Sequence, residues 1–532
     1  MPKNTQLTKY ELQRTVDIWL ENDKNTTKTA QVLGLNPSTI RERLRKAEKT
    51  QKLVSQSTIY KSDKKIFILT SAQDDTKVFK SFWENLVAYA EYRDAEILIG
   101  GFTYQKGLFE DHQVKTGKFT EEVREHLVHE KINITDNLQF MGHANILPTA
   151  VNPLSGWETM SGPSWAIIPH SKIRLQSIPR MIDDDSKVIM STGVVTEPNY
   201  FQRAAGQKAE FHHSYGAVIV EVESPGVFHT RHLNATHSGS FQDLTNLVEN
   251  GVVKPNQRIE AITWGDIHLE KLEDDVVDIQ WDSENSILDT LRPKEQHIHD
   301  LQDFMARNHH NIRDSHFLAE MYYKGTDSVE EESQLCVDFL DKIERPWCKT
   351  VVIQSNHDNA LGRWLKDYSA LTDPVNVKYW HELNYHWHNS IIDSQEDFSP
   401  FWFSLHKSAK TMNCDAVINA KFVNEGDSYK ICEGSEASYI ECSLHGHVGP
   451  NGSRGSPLNL SKIAPRVNSA HTHSPGIIDG VFTAGVSGSF RMGYNESGPS
   501  SWNRAHIANY PNGKRSLIFV NERTGTWKYD NT

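Results

Sequence analysis

The chain is poor in cysteine, and none of the five it has (Cys336, Cys348, Cys414, Cys432 and Cys442, among 532 residues) forms a C-x-x-C pair. That spacing argues against a thiolate zinc site, and the odd number argues against a disulfide framework. Reduced thiols are the expectation. Long hydrophobic runs are also missing. No apolar stretch approaches the ~20 residues that cross a bilayer, so no membrane partner is expected. The opening stretch MPKNTQLTKYELQRT is polar and charged, unlike a secretory leader, and a cytoplasmic location follows as the expectation. Positive charge is scarce as well. The formal net charge is −13. A uniformly acidic surface repels nucleic acid, so contact with it must be local or metal-assisted. Internal repeats and low-complexity runs are absent.

Two features stand against this background. Histidine numbers 26, and it is the commonest transition-metal ligand. The charge is also uneven: residues 1–50 hold ten Lys and Arg against six Asp and Glu. That segment reads as three short helices. KYELQRTVDIWLEND places Leu12, Val16, Trp19 and Leu20 on one face. TTKTAQVLGLNPSTIRERLRKAEK then gives a helix, a turn at Gly34 and a second helix, with Asn36 as N-cap and Pro37 in the first turn. Ala30, Val32, Leu33, Leu35, Ile40 and Leu44 have the spacing of a helix-turn-helix core. Ser38, Thr39, Arg41, Arg43 and Arg45 would then face outward, where a recognition helix meets the major groove. The segment resembles the helix-turn-helix domains of bacterial and phage regulators. DNA is the expected partner, and a small helical module docking on protein is the alternative. Such modules often read paired half-sites, which points to a homo-oligomer.

After a polar linker over 50–62 the pattern changes. KKIFILTSA reads as a buried strand, VFKSFWENLVAYAEYRD as an amphipathic helix and AEILIGGFTY as a second strand. A strand–helix–strand unit favours parallel pairing in an α/β sheet. From about 137 to 235, strands are broken by Pro and Gly. His143, His212, His213, His229 and His232 fall here at no ligand-like spacing and read as structural or surface residues.

From about 256 each strand ends in chemistry. RIEAITWGDIH, KTVVIQSNHDN, ASYIECSLHGHVG and RVNSAHTHSP run from apolar residues into carboxylates, amides and imidazoles. Open α/β folds place their sites on the loops beyond the carboxyl ends of strands. Collected, these ends offer Asp266, His268, Asp300, Asn356, His357, His445, His471 and His473. The donors are oxygen and nitrogen with no thiolate, a set that suits Mn, Fe, Zn, Ni or Mg. Eight donors are too many for one ion and suit two ions sharing a carboxylate. Two metals ~3.5–4 Å apart can clamp a phosphate and polarise a water.

The order of these motifs resembles the calcineurin-like metallophosphoesterases. Their D-x-H, GDxxD, GNH(D/E), HG and GHxH are matched by Asp266-Ile267-His268, HDLQD from His299 to Asp303, SNHD from Ser355 to Asp358, HGH from His445 to His447, and AHTH from Ala470 to His473. His299, Ser355 and Ala470 stand where the family has glycine. The resemblance implies a β-sandwich flanked by helices over 256–532, preceded by an α/β accessory region over 60–255 and a helix-turn-helix domain over 1–52. It implies one ion on Asp266, His268, Asp300 and His473, and a second on Asp300, Asn356, His445 and His471, with His447 as the fallback for His445. Manganese is the favoured metal. His357 would stabilise the phosphate and protonate the leaving oxygen, Asp358 would orient it, and a metal-bridged water would attack phosphorus.

Placement of the accessory region before the motifs resembles large phage-encoded members linked to early breakdown of host DNA. The expected function is therefore a metal-dependent DNA nuclease in the host cytoplasm. One alternative is a phosphatase or nucleotide phosphodiesterase whose N-terminal domain serves assembly. Another is a DNA-binding regulator with a non-catalytic phosphoesterase fold. Arg307 to His310 read as a solvated helix end. Arg491, Tyr494, Asn495, Trp502 and Arg504 either line a phosphate path or, as is favoured for each singly, serve as turn and surface residues.

Overall fold

A computed structural model describes residues 15, 18–19, 22, 25–44, 59–104, 118–181, 184–395, 398–436, 438–493, 495 and 497–529. The chain divides into two units, Met1–Tyr60 and Lys61–Thr532.

In the first unit the helix Thr26–Leu33 starts on Asn25, whose side chain accepts from the N–H groups of Thr27 and Lys28. It ends on Gly34, whose left-handed φ of 63° favours glycine. A second helical stretch covers residues 37–44, as the Asn36–Pro37 start implies. Ala30 and Ile40 are buried between the two. Val32 is not in that core and is 62% exposed. It lies about 200° round the helix from Ala30, so both cannot face inward. Ser38 and Arg41 are exposed, and Thr39 and Arg43 half-buried. Leu12, Val16, Leu20 and Arg45 lie outside the described residues.

The second unit is mixed α/β. Strands Ile66–Gln73 and Ala95–Phe102 pair in parallel from Ile66 opposite Ala95, joined by the helix Lys80–Arg93. That helix buries Phe82, Trp83, Leu86 and Tyr89 in a core shared with Ile219, Leu233 and Phe241. The hairpin Gly216–Ser224 and Val227–Asn234 extends the same sheet.

A six-stranded sheet positions the site. Its order is Lys421–Val423, Lys349–Ile353, Glu295–Ile298, Ala261–Thr263, Ala505–Asn509 and Arg515–Phe519. The first four are mutually parallel. Their carboxyl ends therefore emerge at one edge, and the loops carrying Asp266, Asp300 and Asn356 leave from that edge. A ten-stranded sheet supplies the remaining loops, because it contains Ile440–Glu441 and Val467–Ser469. The same sheet contains strands between residues 131 and 191, joined where Gly476–Ile478 pairs antiparallel with Leu175–Ile178. The compact body thus runs across the expected boundary near 255. A strand edge that would otherwise expose unpaired N–H and C=O groups is used to join the two regions. Among the described residues, no helix is long and apolar enough to cross a membrane.

Candidate metal centre

The strand Ala261–Thr263 delivers Asp266 through a close backbone contact. A Cβ on Gly265 would lie 2.8 Å from backbone atoms of Gly485 and Val486, so only glycine fits. The amide of Asp266 then bonds Gly485 O at 3.1 Å, and that of His268 bonds Asp300 O at 2.8 Å. Four expected ligands hold left-handed backbone: His268 at φ 47°, Asp300 at 45°, His471 at 69° and His473 at 55°. Each costs on the order of 1–3 kcal/mol, and such strain gathers where function demands a fixed geometry.

The side chains converge. Asp266, His268, Asp300 and His473 place one ligand atom each within 4.8 Å of the others. His268 Nε2 faces His473 Nε2 at 3.0 Å, and His473 Nε2 lies 3.1 Å from Asp266 Oδ2. His445 Nε2 is 3.3 Å from Asp300 Oδ2 and 3.0 Å from Asn356 Oδ1. The ring of His471 sits 5.1 Å from that of His445. Asp300 Oδ2 therefore neighbours both His445 and, at 3.5 Å, His268. His447 turns outward to Glu425, at 2.6 Å, so His445 is the histidine of its motif that enters the cluster.

The cluster fits a cation. Asp266 and Asp300 are buried, and none of their four carboxylate oxygens accepts a hydrogen bond; Nδ1 of His445 and of His473 are buried without a partner too. Adjacent buried carboxylates without donors are costly unless positive charge compensates them. Burial pushes the Asp300 carboxyl upward, but His445, His357 and His268 outweigh it and hold it well below the usual range. Burial drives His471 down to about 4, helped by His445. The oxygen and nitrogen donor set suits a divalent ion, and the geometry leaves the identity of that ion open.

One residue at the centre falls outside the ligand set read from the motifs. Asp303 Oδ1 lies 2.9 Å from His268 Nδ1 and 3.2 Å from His357 Nδ1, and its carbonyl oxygen is 3.1 Å from His357 Nδ1. With its Nδ1–H bound there, His268 turns a lone pair at Nε2 toward the cluster. The signal in the sequence was the second carboxylate of HDLQD. Asp358 does not orient His357. Its carboxylate accepts from Ser355 N at 3.1 Å, Ser355 Oγ at 2.9 Å and Gln302 N at 3.4 Å. As first residue of the helix Asp358–Leu365 it closes its own turn instead. Burial lowers the basicity of His357, but Asp300 and Asp303 outweigh it and raise the ring to about 10.

A cleft of about 820 Å³ opens above the cluster, with Asp300, Asn356, His357, His471 and His473 among its lining. Lys271, His309, His310 and Arg363 add positive and titratable groups, and Met305, Phe317 and Trp502 an apolar wall. His309 and His310 thus belong to the cleft, whereas Arg307 pairs with Asp373 at 2.5 Å. The Trp502 ring lies 4.1 Å from that of His473. Arg504 pairs with Glu273 at 2.5 Å and Asn495 holds the turn at Phe490 and Met492. Arg491 is exposed, and Tyr494 lies outside the described residues. Three histidines of the accessory region take structural partners: His232 on Ser191 O at 2.8 Å, His213 on Thr196 O at 3.0 Å and Tyr200 Oη at 2.6 Å, His229 on Glu223 at 3.1 Å.

Residues 12–53 match the PucR C-terminal helix-turn-helix domain. No solved structure matches the chain. Protein A1 of Escherichia phage T5 is 37% identical over 465 residues, an alignment that takes in 85% of this chain and 81% of that protein. At that identity and coverage, the chain belongs to the family of phage T5 Protein A1.

Proposed function

We propose that the protein is a metal-dependent phosphodiesterase that hydrolyses DNA, of the calcineurin-like kind, acting in the cytoplasm of an infected host. The observation that carries this reading is the buried cluster around Asp300, in which two carboxylates without hydrogen-bond donors sit among four imidazoles under an open cleft.

Asp266, His268, Asp300 and His473 would hold one divalent ion, and Asp300, Asn356, His445 and His471 a second. When bound, such ions supply positive charge to a phosphodiester and acidify water for attack on phosphorus. The protein's own groups then act in three ways. His268 and His357 are fixed by a single carboxylate, that of Asp303. His357 lies 3.2 Å from the Asp303 carboxylate and lines the cleft, so its ring can give a proton to the leaving oxygen. Trp502 and Phe317 offer faces on which bases stack, while Lys271 and Arg363 place charge at the wall. The helix-turn-helix unit would supply a further local basic contact in an acidic chain.

Plasmid incubated with the purified protein tests the reading. Nicking or degradation with Mn²⁺, abolished by EDTA and by Asp300→Asn, is expected. Phosphate release from a chromogenic monoester with the plasmid intact would move the reading to a phosphatase. Failure of both reactions with DNA binding retained would leave a regulator.

A further inference from the structure

The second unit holds another pocket, of about 320 Å³, which shares no lining residue with the metal cleft. It forms where the accessory and catalytic stretches meet, with Lys172 and His212 from one and Arg466, Lys514 and Arg515 from the other. Positive charge collects there beyond what nearby carboxylates balance. Lys172 is paired with Asp479 at 2.6 Å. Among the described residues, Lys514 pairs with Glu436 alone, at 3.6 Å. Arg466 donates to Gly513 O, and Arg515 to Val467 O, Asn468 Oδ1 and Gly480 O, which fixes both guanidinium groups without neutralising them. Arg515 is buried over the face of Phe482, 4.1 Å from the ring centroid. Burial first, and repulsion from Arg466 second, push Lys514 down to about 8 and Arg515 down to about 9. Cations gathered out of water in excess of the carboxylates around them are costly, and an incoming anion offsets that cost. In a chain of net charge −13 such a pocket is selective for its ligand's sign.

We infer that this pocket is a binding site for a phosphate group, with Lys514 and Arg466 as its principal contacts and Lys172 and His212 also lining it. An arginine fork beside a lysine point charge matches a phosphate dianion. The volume admits inorganic phosphate or a mononucleotide. The inference does not depend on the chemistry of the metal cleft, with which this pocket shares no lining residue.

The test uses the full chain in EDTA, with melting temperature followed against inorganic phosphate and against sodium chloride at matched ionic strength. A saturable rise with phosphate is expected for the parent protein and for His357→Ala. Lys514→Gln and Arg466→Gln should each raise the half-saturating phosphate concentration about tenfold. Lys514→Gln should melt in chloride no lower than the parent, because it relieves repulsion. No saturable rise in the parent, or unchanged half-saturation in both variants, overturns the proposal. A lower melting temperature for Lys514→Gln in chloride also overturns it, by making Lys514 a structural partner of Glu436. A deoxynucleoside monophosphate and a short single-stranded oligonucleotide serve as further arms. Tighter binding of the former identifies a free nucleotide as the phosphate source, and of the latter a strand backbone; either supports the site.

Discussion

The carboxylate of Asp303 lies 2.9 Å from Nδ1 of His268, a ring whose other nitrogen faces His473 in the buried Asp–His cluster. This contact sets which nitrogen of His268 carries the proton. Asp303→Asn keeps the size but removes the charge, and its amide can present a donor to a nitrogen that needs an acceptor. The expected result is a 10- to 100-fold rise in the half-saturating Mn²⁺ concentration, roughly the usual cost of losing such a partner. Calorimetric titration with Mn²⁺ measures it directly. An unchanged affinity would remove Asp303 from its positioning role.

Asp300→Asn separates electrostatic cost from ligation. Asp266 and Asp300 are both buried, and each as an anion disfavours the other. Without metal, His445, His357 and His268 nonetheless outweigh this repulsion and hold the Asp300 carboxyl well below its usual range, so its charge is net stabilising and the variant should melt below the parent in EDTA. With Mn²⁺ the gap should widen. A ligand at a hundred times its Kd stabilises the native state by about 2.7 kcal/mol, and the variant should forfeit most of that. Differential scanning calorimetry with and without Mn²⁺ gives all four values. A variant that melts at or above the parent in EDTA would contradict the stabilising role of the Asp300 charge.

How much of this arrangement a sequence carries depends on whether the determinants are local. The unit from Ile66 to Phe102 is readable because an apolar run, an amphipathic run and a second apolar run follow one another. The strand Glu295–Ile298, which delivers Asp300, shows no such run. Gln296 and His297 sit in the core because they are hydrogen-bonded there: Gln296 takes Trp264 Nε1 at 3.0 Å and gives to Ile343 O at 3.0 Å, and His297 meets Thr263 Oγ1 at 3.1 Å. Buried polarity that is satisfied across strands leaves no local trace. Pairing of Leu175–Ile178 with Gly476–Ile478 is equally invisible, since it joins edges distant in the chain. The convergence of Asp266, His268, Asp300 and His473 was legible because donors follow strand ends in order. The choice between Asp303 and Asp358 as partner of His357 was not, because it turns on where a helix starts.

The helix-turn-helix unit carries a prediction about charge. Arg41 is exposed on the second helical stretch, within the segment that matches the PucR-type domain. If it neutralises one phosphate, Arg41→Ala should weaken duplex binding similarly across sequences. It should also reduce the slope of log affinity against log salt by about 0.9. Fluorescence anisotropy over a salt series reads both quantities. An unaltered slope would place Arg41 off the DNA.

Acid stability follows from histidines that the metal centre does not use. His170, His213 and His232 are each pushed down to about 4 by burial, against an ordinary value of 6.5. In the unfolded chain these rings take up protons below about pH 6.5, whereas the folded protein keeps them neutral until about pH 4. The unfolded state then binds more protons, so stability falls as the pH drops through that window and is fully present above it. Each such ring adds a slope of up to about 1.4 kcal/mol per pH unit. His232→Gln keeps a donor for Ser191 O and removes one titrating group. Urea midpoints at pH 7 and pH 5 should differ less for this variant than for the parent at equal m-value. An equal difference would mean that His232 already titrates normally in the folded protein.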